Sequence, residues 1–126
     1  MIYTSCYSNK NLLDISKRLN LELLSVSVTR PGVYNGFDFS KIRIYNALVP
    51  PKSLVFAYKN KEIGVRAYCS AYIEQLDKLD PNDLYNDLMQ TVLLCWCKPK
   101  QFCHRHLISY WFKKHQVVVE ELPYKI

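Results

Sequence analysis

The sequence predicts an α/β fold: a single open, mainly parallel sheet flanked by helices, a Rossmann-like three-layer arrangement. Three observations lead there. Short apolar runs alternate with stretches of helical period, as βαβ units require. One run, TVLLCWC at residues 91–97, is apolar almost throughout, as expected of a central strand covered on both faces. Finally, the 126 residues suit one ordinary domain, and no internal repeat or linker divides them, so a single domain over 1–126 is expected.

Residues 2–7 alternate apolar and small polar side chains and read as a first strand. Residues 12–19 carry leucine or isoleucine at 12, 13, 15 and 19, the spacing of a short helix. The period of two in LLSVSV marks a second strand over 23–28. From 29 to 51 no period holds. Pro31, Gly32, Asn35, Gly36 and the Pro50-Pro51 pair break it, and aromatic residues lie between them. A loop this long suggests a lid or binding segment.

A short helix is expected from Pro51 to Tyr58. Val65, Cys69, Tyr72, Leu76 and Leu79 then recur at steps of four and three, one apolar stripe on a helix with Cys69 buried in it. Asp80-Pro81 is an N-cap followed by a proline at the first helical position, starting a helix that runs to about Met89. After the 91–97 strand and a turn, residues 103–114 read as a helix with Leu107, Ile108, Trp111 and Phe112 on one side. VVVEEL at 117–122 closes the chain as a last strand.

Composition narrows the function classes. Apolar residues make up 49% and charged residues 22%, which argues against wholesale disorder. No apolar run approaches the roughly 20 residues that span a bilayer, and the start lacks the pattern of a secretory signal. A cytoplasmic protein with no membrane partner is expected. The five cysteines are an odd number set within strand-like and helix-like patterns, so reduced thiols are expected. The formal net charge of +6 favours an anionic partner: a nucleotide, nucleic acid or another phosphorylated small molecule.

Ligands of open parallel sheets sit beyond the carboxyl ends of the strands. That rule gathers Ser5, Cys6 and Tyr7 from the first strand, Thr29 and Arg30 from the second, Cys95 and Cys97 from the central strand, and Cys103-His104-Arg105 at the start of the following helix. Tyr34 in the long loop joins them as a substrate-binding candidate. Free N–H groups at that helix start favour an anion, and Arg105 with Arg30 would clamp it. The same field favours a thiolate, which makes Cys103 the expected nucleophile or redox thiol. His104 is then the acid–base partner, with Cys95 lining the cleft.

Zinc is the rival reading, since Cys95, Cys97, Cys103, His104 and His106 are soft ligands. Their spacing, C-x-C-x5-C-H-x-H, is not that of a standard zinc knuckle. His104 and His106 lie about 200° apart around a helix and do not readily join the same ion. No bound metal is expected, and no cofactor is indicated.

The string LLCWCKPKQFCHRHLISYW resembles a signature of the DUF488 family, in which a buried strand ends in Leu-Leu-Cys and Cys-His-Arg opens a helix after a Lys-Pro turn. Tyr3-Thr4-Ser5, Val28-Thr29-Arg30-Pro31 followed by Tyr34-Asn35-Gly36, Pro50-Pro51 and Leu79-Asp80-Pro81 extend the resemblance over most of the chain. It implies a site at Arg30, Cys95, Cys103, His104 and Arg105. Relatives often carry an acidic residue two positions after the strand cysteine, where this chain has Cys97. The function expected is a small enzyme acting on a nucleotide, a nucleic-acid base or a related anionic phosphorylated substrate. The alternative is a non-catalytic module that binds nucleic acid, a nucleotide or a protein in the same basic cleft.

Overall fold

A computed structural model describes residues 1–96 and 103–123. Five parallel strands form one sheet in the order β5-β2-β6-β1-β7. They are β1 (Ile2–Cys6), β2 (Glu22–Ser25), β5 (Arg43–Ile44), β6 (Thr91–Cys95) and β7 (Val119–Glu121). A separate antiparallel hairpin pairs β3 (Val33–Tyr34) with β4 (Phe37–Asp38). The helices are α1 (Leu12–Leu19), α2 (Lys52–Lys59), α3 (Val65–Asp77), α4 (Pro81–Leu88) and α5 (His104–Lys114). The expected α/β class and mainly parallel sheet are therefore what the chain forms.

β6 lies in the middle because all five of its residues are buried, and it pairs in register with β1 on one side (Thr91 beside Ile2 through Cys95 beside Cys6) and β2 on the other. Its side chains alternate between two cores. Leu93 and Cys95 face Leu24 of β2, Tyr72 and Leu76 of α3, and Ile108 and Trp111 of α5. Val92 and Leu94 face Leu12 and Ile15 of α1, with Phe39 and Ile42 from the segment after the hairpin. Four helices cover the first face. On the second, α1 shares the work with the 39–42 segment, in which Phe39–Lys41 form a short 3-10 helix.

Local chemistry explains the element ends. Asp80 caps α4 by accepting from the N–H groups of Asn82 (2.8 Å) and Asp83 (3.3 Å), as its position before Pro81 predicts. Asn20 ends α1 in the left-handed region, with φ 54°.

Three expectations are corrected. The 29–51 stretch is not one loop: Asn35 (φ 51°) and Gly36 (φ 78°) make the two-residue turn of a hairpin. Arg43–Ile44 then joins the main sheet beside β2, a strand too short to show a period. The buried stripe of α3 is Tyr68, Tyr72 and Leu76, while Val65 is 48% exposed. Cys69 is accordingly only partly buried. The stripe is turned because α2 and α5 pack against the tyrosine side of α3. Among the described residues, no helix is long and apolar enough to cross a membrane.

Candidate functional site

A cleft of about 160 Å³ opens where β2 and β6 end. Ser27, Val28 and Thr29 continue from β2, and Cys95 and Trp96 from β6. Cys103 and His104, at the start of α5, form the facing wall. Tyr58 and Lys59 of α2 and Tyr68 of α3 complete the rim. The cleft therefore lies beyond the carboxyl ends of parallel strands, where the helices leave the strand ends uncovered.

Cys103 is the N-cap residue of α5, extended at φ −152° and ψ 145°, and its side chain makes no cap hydrogen bond. Its sulfur lies 3.7 Å from Nδ1 of His104. The other ring nitrogen of His104, Nε2, meets the carbonyl oxygen of Val26. A carbonyl only accepts, so Nε2 carries a hydrogen, and in the neutral form of the ring Nδ1 is the acceptor facing the Cys103 thiol. The edge of Tyr72 packs against the same ring, with centroids 5.5 Å apart. The histidine is thus oriented by backbone and packing together.

Behind that wall Arg105 is fully buried. It donates from Nε and Nη2 to the Glu121 carboxylate, with a shortest contact of 2.9 Å, and from Nη1 to the Cys95 sulfur at 2.9 Å. Thr4 donates its hydroxyl to Glu121 as well. Burial works against the Arg105 charge, yet the Glu121 hydrogen bonds and the nearby Cys95 and Cys103 sulfurs outweigh it and raise the pKa above the ordinary arginine value. Burial likewise works against the Glu121 charge. Hydrogen bonds from Arg105 and Thr4 prevail and lower its pKa.

Tyr7, just past β1, bridges the Ser25 (2.8 Å) and Ser27 (2.7 Å) hydroxyls, and Ser27 donates to the carbonyl oxygen of Thr29. Burial pushes the Tyr7 phenol upward, and the Cys95 sulfur adds to this. Trp96 donates its indole N–H to the same Thr29 carbonyl at 2.8 Å, which ties the ends of β2 and β6 together.

The residues singled out in the sequence divide into three groups. Thr29, Cys95, Cys103 and His104 line the cleft. Arg105 lies beneath it, enclosed by Glu121 and Cys95, so the expected two-arginine clamp is not formed: a guanidinium with no exposed surface does not reach a ligand. Arg30 is absent from the lining and donates to the carbonyl oxygen of Ile42 at 2.6 Å. Ser5 and Tyr34 are also outside the cleft. Ser5 accepts from Asn9, and Tyr34 sits on the exposed hairpin.

Sequence reasoning missed Glu121, Thr4 and Lys59. Glu121 is one of two glutamates in the three-residue edge strand β7, and its meeting with Arg105 depends on β7 pairing with β1. Cys97, Lys98 and Lys100 fall outside the described residues, and with Cys97 so does part of the zinc reading. Among the described residues, no three His, Cys, Asp or Glu side chains gather as a metal would need.

A family model described as the active DUF488-N3 subclade matches residues 17–116. The chain belongs to the DUF488 family. No curated protein and no solved structure matches this DUF488 protein. The matched stretch runs from α1 to the end of α5, and so includes β2, β6 and every residue that lines the cleft.

Proposed function

We propose that this DUF488 protein is a small enzyme acting on a nucleotide, a nucleic-acid base or a related anionic phosphorylated substrate. The observation that carries the reading is the Cys103–His104 pair, with His104 oriented by the Val26 carbonyl and both residues opening on one cleft. A thiol beside a base, itself oriented by a third group, is the arrangement of an activated nucleophile. His104 takes the Cys103 proton as the sulfur attacks and returns it to the leaving group.

The surroundings favour the substrate class. Tyr58, Tyr68 and Trp96 give the cleft aromatic walls suited to a flat heterocycle. Lys59 and the positive end of the α5 dipole suit an anionic group, and the overall charge of +6 draws such a molecule in.

The test is to incubate the protein with nucleosides, nucleotides and short single-stranded oligonucleotides and to follow products by mass spectrometry. Turnover is expected, and Cys103→Ser and His104→Asn are each expected to lower it at least about 100-fold, with melting temperatures close to that of the parent. Salt-sensitive oligonucleotide binding without turnover would instead establish the non-catalytic module.

A further inference from the structure

We infer that the cleft holds a second reactive sulfur: Cys95, buried at the cleft wall with 1% of its surface exposed, is kept as a thiolate by Arg105 and reacts with a small, soft electrophile that enters the cleft. The inference goes beyond the Cys103–His104 pair, because it rests on a different contact and needs neither residue to be catalytic.

The geometry carries it. Arg105 is buried completely, so its charge has no water to solvate it and needs anionic or strongly polar partners inside the protein. Glu121 accepts from Nε and Nη2, and the remaining nitrogen, Nη1, lies 2.9 Å from the Cys95 sulfur. That separation is short for a nitrogen donating to sulfur and suits a charge-assisted bond. Arg105 is also the second residue of α5, so the positive end of the helix dipole adds to the field at the sulfur.

Among the described residues near Cys95, the two tyrosines do not compete as anions. Tyr7 approaches from the end of β1 and Tyr72 from α3, and burial raises both phenols, which keeps them neutral at ordinary pH. Cys103, at the cap of α5, is a second thiol near Arg105 among the described residues. Glu121 from β7 is held on the far side of the guanidinium by Thr4. Arg105 is thus a positioning residue that acts through Cys95, and Glu121 and Thr4 hold it in place.

The test is the pH profile of alkylation of the folded wild-type protein by iodoacetamide, read at each cysteine by mass spectrometry. The sulfur lone pair forms a bond to the methylene carbon, the carbon–iodine bond breaks, and iodide leaves with the electron pair. A thiolate loses no proton in this step. The Cys95 rate is therefore expected to change less than about threefold between pH 6.5 and 8.5, whereas an ordinary thiol would gain about 50-fold. Arg105→Gln should restore the steep profile. A steep profile in the wild-type protein would overturn the inference, as would a Cys95 left unmodified where Cys69 is labelled. Cys103→Ser separates the two proposals: it should leave the Cys95 profile flat even as it abolishes turnover.

Discussion

Glu121 shows how much one side chain decides here. It is the carboxylate partner of a fully buried arginine, and its own side chain is 30% exposed. Breaking a buried pair by removing one partner costs about 3–5 kcal/mol, and the partial exposure of Glu121 puts its replacement near the lower end. Glu121→Gln is therefore expected to lower the unfolding free energy by about 3 kcal/mol at neutral pH, measured by urea denaturation. The pH dependence has a definite sign. The Glu121 pKa is lowered in the folded state, so its contribution is fully present above the ordinary carboxylate value, near 4.3, and is lost as pH falls through the folded value. The gap between wild type and Glu121→Gln should narrow below about pH 4. A gap that stays constant into acid would remove the ion pair from the account. Arg30 belongs to the same scale. Its hydrogen bond to the Ile42 carbonyl ties the end of β2 to the approach to β5. Arg30→Ala is expected to cost about 1 kcal/mol of stability and to leave turnover within about threefold of the parent.

At the scale of elements, boundaries were legible where short-range chemistry sets them. Asp80 before Pro81 marks a cap in the sequence, and the carboxylate does accept from the first turn of α4. Asp80→Ala should lower stability by about 1 kcal/mol, seen as a fall of several degrees in melting temperature. Residues 12–19 form α1 as their spacing predicts, because an amphipathic period needs only a neighbouring sheet to pack on. The stretch from 29 to 51 was not legible. Asn35-Gly36 between Val33-Tyr34 and Phe37-Asp38 is a hairpin turn, but two-residue strands carry no readable alternation. Arg43–Ile44 becomes β5 only because β2 offers an open edge. The stripe of α3 was legible at Tyr72 and Leu76 but not in its first turns, where Tyr68 is buried instead of Val65 and Cys69, since that orientation depends on where α2 and α5 press against Tyr68 and Tyr72. Cys69 is consequently only partly buried rather than enclosed in the core stripe.

For the whole molecule, β6 is the element on which both cores depend. Leu93 and Leu94 are each fully buried, one on either face of the sheet. Leu93→Ala and Leu94→Ala are each expected to cost about 2–5 kcal/mol by urea denaturation. A loss well under 1 kcal/mol at either position would mean that one layer is not packed as described. The α/β class, the central strand and the Cys-His-Arg helix start were determined by the sequence alone. Apolar runs, helical periods and caps are local patterns, and a strand covered on both faces announces itself by being apolar throughout. Only the tertiary structure decided what the site residues touch. Glu121 reaches Arg105 because β7 pairs in parallel with β1. Arg105, read from the sequence as a ligand clamp, is enclosed between that carboxylate and Cys95. Contacts across 10 to 117 positions of chain leave no period in the sequence, because they are fixed by the order of strands and the packing of helices rather than by neighbouring residues.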